Sequence, residues 1–157
     1  MPDHHHHHPA PGGRALSRTA LMATIHCLSG CAIGEVAGMV IGSAFGLGNG
    51  VTVVLSVILA FITGYGLTMR PLLKSGLVLR VAAGLALASD TLSVTVMEIV
   101  DNALMLLIPG AMDAKLNEPL FWGSLGGSLV LAGVAAFPVN RWLIARGKGH
   151  ALVHGHH

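Results

Sequence analysis

The chain carries metal-ligand side chains inside stretches that are hydrophobic enough to cross a membrane. They comprise two cysteines, one histidine and four of the seven acidic residues: His26, Cys27, Cys31, Glu35, Asp90, Glu98 and Asp101. An ionisable group in hydrocarbon is unfavourable unless it is paired, protonated or bound to an ion, so its presence indicates a functional site. Thiol, imidazole and carboxylate are also the groups that bind transition metals in proteins.

Composition places the chain among integral membrane proteins. Of its 157 residues, 53% are hydrophobic and only 10% are charged. Four segments reach or exceed the roughly 20 residues that cross a ~30 Å hydrocarbon core: Thr19–Gly46, Val51–Met69, Leu77–Ile108 and Leu120–Ala145. We predict an all-α protein in which residues 19–146 form one domain of four transmembrane helices. Residues 1–18 and 147–157 are predicted to be disordered, His-rich tails.

The basic residues predict how the four spans are oriented. With an even number of spans, eight of the nine lie on one side of the membrane, and only Lys115 lies on the other. The positive-inside rule then places both termini in the cytoplasm. We therefore predict a multi-pass protein of the cell inner membrane, with the lipid bilayer as its partner. Because the net charge of +2 reflects this topology, no nucleic-acid partner is predicted.

Glycine recurs at every fourth position of the first span, at Gly30, Gly34, Gly38, Gly42 and Gly46. Such rows allow two membrane helices to approach closely. At about 100° per residue, the row shares a sector with Cys27, Cys31 and Glu35, and so directs them into the protein interior. The face formed by Gly30-Gly34-Gly38-Gly42 also predicts a contact that joins two copies of the chain as a homo-oligomer.

The third span carries a polar stripe on one face. Its members project onto a sector of roughly 140°: Asp90, Thr91, Thr95, Glu98, Asp101, Asn102 and Met105. Because lipid does not solvate such a face, it has to line a cavity, a binding site or a partner helix. The alternative is that protonated carboxyl groups act as hydrogen-bonding glue between helices.

Counting from the cytoplasmic ends of the first and third spans predicts two layers of ligands about 10 Å apart. The inner layer contains His26, Cys27, Cys31 and Asp90, and the outer layer contains Glu35, Glu98 and, at its edge, Asp101. Thiolate and imidazole suit copper or zinc, and carboxylates broaden the choice of metal. We predict a transition-metal ion as the cofactor at these seven residues, copper or zinc ahead of iron. A redox pair of Cys27 and Cys31 is the rival interpretation, although their spacing on a rigid helix is awkward for a disulfide.

Nine further histidines lie in the two tails, at His4–His8, His150, His154, His156 and His157. Histidine-rich tracts bind transition metals, so the tails could act as a metal buffer. The N-terminal run is either native or an affinity tag.

A set of motifs runs along the chain: HCLSGCAIGEVAGMVIG in the first span, TMRP after the second, SDTLSVTVMEIVDN in the third, then IPGAMDAKL, LFWGSL and AFPVNRWLIARGKGHA. Together they resemble a family of small bacterial membrane proteins known only as a domain of unknown function. The resemblance covers residues 24–151 and implies a four-helix membrane domain. It implies neither an activity nor catalytic residues.

These features predict a protein that binds or translocates a cation through a site between the first and third spans. Two alternatives stay open. One is a membrane enzyme that uses redox chemistry at Cys27 and Cys31, or a metal bound by Glu35, Glu98 and Asp101. The other is a structural or accessory subunit. The sequence contains no glycine-rich phosphate loop, so the chain is not predicted to drive transport with a nucleotide.

Reporter fusions test the predicted topology. A reporter fused after His157 should be cytoplasmic, and one inserted between Asp113 and Glu118 should lie across the membrane, because this arrangement keeps eight basic residues inside. Finding both reporters on the same side would refute the four-span arrangement.

Overall fold

The computed structural model describes residues 13–146, which form four α-helices: α1 (Gly13–Phe45), α2 (Asn49–Lys74), α3 (Leu79–Leu107) and α4 (Pro119–Ala145). Each helix is long and apolar enough to cross a membrane. The predicted all-α architecture with four membrane spans is therefore confirmed. Residues 1–12 and 147–157, which contain the tail histidines, lie outside the described residues.

The first two helices extend beyond the predicted spans. Residues 13–18 belong to the segment predicted as a disordered tail, yet they form the first turns of α1. Alanine, leucine and arginine in this segment favour helix, and a helix needs no hydrophobic surface to continue into water. At 1.5 Å per residue, the 33 residues of α1 measure about 50 Å and exceed a ~30 Å hydrocarbon core. α2 likewise continues past Met69 to Lys74.

Two short turns reverse the chain between α1 and α2 and between α2 and α3. Gly46 and Gly76 have φ angles of 62° and 88°, a left-handed conformation that glycine adopts without steric cost. At the end of α1, the Leu47 N–H donates to the Gly42 carbonyl at 2.9 Å. This bond satisfies a carbonyl that the helix end leaves without a partner, and the same pattern follows Gly76.

α1 and α2 pack at a distance that only small residues permit. A Cβ added at Gly30 would lie 2.7 Å from the Gly64 Cα, and one added at Gly34 would overlap the Ala60 backbone. The Thr63 hydroxyl donates to the Gly30 carbonyl at 2.6 Å across the same interface. Gly30, Gly34, Gly38 and Gly42 thus contact α2 of the same chain. In the single chain α2 covers this face, and the predicted homo-oligomer stays a prediction.

The helices follow one another around the bundle, since α2 packs on α3, α3 on α4, and α4 returns to α1. Leu28 of α1 packs against Gly133 of α4, and Asn140 Nδ2 donates to Thr24 Oγ1 at 2.9 Å. Small and apolar side chains from all four helices fill the centre: Cys27, Cys31, Ala60, Val94, Met97, Ala132 and Ala136. The first and third helices therefore face each other across this core.

The two ends of the bundle differ in their connections. The loop end contains residues 46–48 and 108–118, which join α1 to α2 and α3 to α4. The terminal end contains the start of α1, the end of α4 and the short turn between α2 and α3. Under the topology predicted from the basic residues, the terminal end faces the cytoplasm.

Replacing Gly34 by alanine should destabilise the bundle by about 1–3 kcal/mol, because the new Cβ overlaps the Ala60 backbone, which cannot rotate away. The matched control is Gly66→Ala in α2, where an added Cβ meets no atom within 4 Å. Thermal unfolding in detergent should give a lower midpoint for Gly34→Ala and no loss for Gly66→Ala. Equal midpoints for the two variants would contradict the observed α1–α2 contact.

Candidate functional site

All four acids of the membrane spans lie in the protein interior. The exposed fractions are 1% for Asp90, 2% for Glu35, 2% for Asp101 and 5% for Glu98. Every lysine and arginine side chain that the structure describes is exposed, so none of them is buried beside Glu35, Glu98 or Asp101. A buried charge without a counter-charge is strongly unfavourable. Glu35, Glu98 and Asp101 therefore require protons, or a bound cation, to be stable where they lie.

Glu35, Glu98 and Asp101 form a carboxyl cluster between α1 and α3. The Glu35 carboxyl lies against that of Asp101 and near that of Glu98. Among residues 13–146, no hydroxyl, amide or amine donates a hydrogen bond to either Glu35 side-chain oxygen. Two carboxyl groups hydrogen-bond to each other only when one of them carries a proton. The contact between Glu35 and Asp101 is thus favourable only with a proton or a cation between them.

Neighbouring side chains orient the other two members of the carboxyl cluster. Ser128 Oγ, on α4, donates a hydrogen bond to Asp101 Oδ1. Asn102 Nδ2 donates to the backbone carbonyl of Glu98 at 2.9 Å and lies 3.4 Å from Glu98 Oε2. Asp101 and Glu98 therefore have fixed neighbours on α4 and α3, whereas Glu35 depends on the carboxyl cluster itself.

Cys31 lies beside the carboxyl cluster. Its thiol is within hydrogen-bonding reach of Glu98 and close to Glu35. The depth count predicts Cys31 in the inner layer with Asp90, but the structure places it with the outer acids. The difference arises because the count assumes that α1 and α3 enter the membrane at equal heights. An offset of less than one helical turn is enough to change the partner of Cys31.

Cys27 and Asp90 form a second pair, nearer the terminal end. Cys27 lies close to Asp90 and to the Ser93 hydroxyl, and Ser89 Oγ donates to Asp90 Oδ1 at 2.7 Å. Both cysteines are buried free thiols. His26 is half-buried and lies about 100° around α1 from Cys27, on the flank of the face that carries the thiols.

Within residues 13–146, no three or more histidine, cysteine, aspartate and glutamate side chains converge closely enough to hold a metal ion as they stand. The predicted ligands lie as neighbouring pairs along α1 and α3 instead of one assembled coordination shell. Metal binding, with copper, zinc or iron as the ion, stays a prediction.

A cavity of about 120 Å³ connects the carboxyl cluster with the loop end. The polar residues of its lining come from α1, α2 and α3, and include Glu35, Ser43, Asn49, Thr52, Ser56, Asp101 and Asn102. A space of this size holds several water molecules. Water, or a partly hydrated ion, can therefore approach Glu35 from the loop end.

A wider vestibule continues the cavity outward. The two spaces share five lining residues: Ser43, Asn49, Met112, Ala114 and Leu116. Asn49 Nδ2 donates to Asp113 Oδ1 at 3.0 Å and so ties the start of α2 to the α3–α4 connection. In the opposite direction, the core around Val94 and Met97 fills the interior. The cavity thus gives the carboxyl cluster access from the loop end.

Sequence reasoning missed the hydroxyl groups that contact the predicted ligands. Ser128 reaches Asp101 from α4, and Ser93 lies beside Cys27 on α3. The available signal was a pair of serines four residues apart, Ser124 and Ser128, in an otherwise apolar helix. Serine in a membrane helix commonly hydrogen-bonds to its own helix or to a neighbouring one.

Comparison with known families gives a match over residues 17–149 to the family described as Domain of unknown function (DUF4396). The chain belongs to the DUF4396 family. No curated protein and no solved structure is significantly similar to it. The match includes the seven predicted ligands of this DUF4396 protein and confirms the resemblance at the level of the family. It assigns no activity, so the function has to be argued from the site.

Cysteine substitution tests whether the cavity is open to water. Val53 lines the cavity, whereas its neighbour Val54 is 59% exposed on the outside of the bundle, where lipid is expected. In protein reconstituted in liposomes, a charged thiosulfonate should label Val53→Cys and leave Val54→Cys unlabelled, because the reagent needs a hydrated thiolate. The native thiols are buried, so wild-type protein measures the background. Labelling of Val53→Cys no stronger than the wild-type background would show that the cavity is closed to water.

Proposed function

We propose that this DUF4396 protein binds a cation within the membrane and passes it through the carboxyl cluster. The observation that carries the proposal is the position of Glu35. Its side chain is 2% exposed, neither of its oxygens receives a hydroxyl, amide or amine hydrogen bond within the described chain, and it lines the cavity that opens towards the loop end. Such a carboxylate is stabilised by a cation, and the cavity provides the route by which a cation arrives.

The charge balance of the interior favours cation binding over anion or neutral-solute binding. Glu35, Glu98 and Asp101 are buried together, and the lysine and arginine side chains of residues 13–146 are all exposed. An anion would add to the uncompensated negative charge in a region of low dielectric constant. A cation removes part of that charge and satisfies carboxylate oxygens that lack a donor.

A transition metal is the proposed ion, copper or zinc ahead of iron, because sulfur donors accompany the acids. The pairs that succeed one another from the cavity towards the terminal end are Glu35 with Asp101, Cys31 with Glu98, and Cys27 with Asp90. Thiolate and carboxylate together suit these metals better than they suit Ca²⁺ or Mg²⁺, which prefer oxygen ligands alone.

The arrangement of pairs favours translocation over storage at one fixed site. Successive positions on α1 are four residues apart, which is about 6 Å along a helix at 1.5 Å per residue. An ion can therefore exchange ligands stepwise between neighbouring pairs. Access through the cavity lies at the loop end, which faces away from the cytoplasm under the predicted topology.

Metal binding is best measured on full-length chain in which alanine replaces the nine tail histidines, since these would bind metal themselves. In this parent protein, Glu35→Gln keeps the side-chain shape and removes the charge. We expect Glu35→Gln to weaken binding of Cu(I) or Zn(II) by at least about tenfold. Replacing a residue that supports a metal site commonly has an effect of this size on metal affinity. Equilibrium dialysis followed by elemental mass spectrometry gives the affinity.

Glu118→Gln is the matched control, because Glu118 lies at the N-terminus of α4 and accepts its hydrogen bond from the Lys115 backbone. It should leave the affinity unchanged. Thermal unfolding in detergent checks that each variant is folded. A folded parent that binds none of Cu(I), Zn(II) and Fe(II), or a Glu35→Gln variant with unchanged affinity, would overturn the proposal.

A further inference from the structure

Three methionines line the cavity between the vestibule and the carboxyl cluster: Met39 on α1, Met105 on α3 and Met112 in the α3–α4 connection. Met39 follows Glu35 by four residues and Met105 follows Asp101 by four, so each thioether shares a helix face with an acid. At 1.5 Å per residue, Met39 and Met105 lie about 6 Å nearer the loop end than Glu35 and Asp101. A cation entering through the cavity meets the thioethers first.

We propose that these methionines select a soft monovalent cation, Cu(I), and pass it to the carboxyl cluster. This inference rests on the proposed function and narrows its ion. Thioether sulfur is a neutral, soft donor that favours Cu(I). Zn(II) is bound by thiolate, imidazole and carboxylate, and Ca²⁺ and Mg²⁺ take oxygen ligands. A thioether level at the mouth of the site therefore discriminates in favour of Cu(I).

The position of the methionines distinguishes them from ordinary core residues. Methionine often fills irregular gaps in a hydrophobic core, as Met97 does in the centre of this bundle at 1% exposure. Met105 is buried to a similar degree, at 2% exposure, but Met39, Met105 and Met112 border a space that is left open, together with the carboxyl group of Glu35.

The donors along α1 alternate in a way that suits a monovalent ion. Cys31, Glu35 and Met39 stand at intervals of four residues on one helix face, so a sulfur donor lies on each side of the carboxyl group. Neutral thioethers can capture Cu(I) but cannot offset its charge. The Glu35 carboxylate supplies the negative charge that offsets it. The Cys31 thiol lies close to Glu35, on the side away from the loop end.

The test compares Cu(I) and Zn(II) binding to the same parent protein, with alanine in place of the tail histidines. Cu(I) is presented from a competing chelator under anaerobic, reducing conditions. The double variant Met39→Leu/Met105→Leu conserves side-chain volume and removes both thioethers. We expect its Cu(I) affinity to fall about 10- to 100-fold, with unchanged Zn(II) affinity. Met22→Leu is the control, since Met22 is 60% exposed on the outside of α1 and should change neither affinity.

Each outcome decides between the two proposals. Unchanged Cu(I) affinity in the double variant, with binding still weakened by Glu35→Gln, overturns the role of the methionines and leaves the proposed function intact. Equal losses for Cu(I) and Zn(II) also overturn that role, because they show that the methionines only shape the cavity. A folded parent that binds no Cu(I) overturns the role of the methionines, and one that binds none of Cu(I), Zn(II) and Fe(II) overturns both proposals. If the double variant does not fold, Met112→Leu in the α3–α4 connection provides the same comparison outside the helices.

Discussion

The close contact between α1 and α2 is the constraint on which the site depends. Because the glycine row rests on the backbone of Ala60 and Gly64, α1 has one rotational setting against α2. In that setting, the adjoining sector with Cys31 and Glu35 faces α3, and Ser56 Oγ lies 3.4 Å from the Glu35 carbonyl. A rotation by one residue position, about 100°, would turn Glu35 away from Asp101. The packing of the glycine row against α2 thus determines that Glu35 lies beside Asp101.

The buried acids do not contribute equally to holding the bundle together. Hydrogen-bonding glue between helices accounts well for Asp101, whose carboxyl group receives the Ser128 hydroxyl from α4. For Glu35, whose oxygens receive no hydroxyl, amide or amine donor within residues 13–146, such glue requires a proton shared with Asp101. An apolar side chain of similar size at this position would avoid the unfavourable burial of a carboxyl group. Under the proposed function, a bound cation takes the place of that proton.

Hydropathy and helix periodicity were sufficient to predict most of the fold from the sequence, because length and apolar composition alone decide which segments can span a membrane. The glycine row indicated close packing but not its partner. A matching signal was present in α2, where small residues also recur every fourth position: Thr52, Ser56, Ala60 and Gly64. Pairing the two rows would have assigned α2 as the helix that covers this face.

The site was predicted less completely than the fold. Depth counting along two helices is accurate to about one turn, which brought Glu35, Glu98 and Asp101 together but assigned Cys31 to the wrong neighbour. The contact between Ser128 and Asp101 depends on the register of α4 against α3, which no periodicity in either helix specifies. The cavity depends in addition on the path of residues 108–118, a connection without regular structure.

The packing also decides where the bundle has to open if a cation is to move beyond Glu98. The core around Val94 and Met97 fills the interior between Glu98 and the terminal end. The α1–α2 interface cannot widen without separating two closely packed backbones. Space must therefore come from α3 and α4, which are joined to their neighbours in part by single side-chain hydrogen bonds, such as that between Ser128 and Asp101. A cation bound by Asp101 competes with Ser128 for the same carboxyl group. Under the proposed function, cation binding is thereby coupled to the contact between α3 and α4, and by reciprocity that contact alters the affinity for the cation.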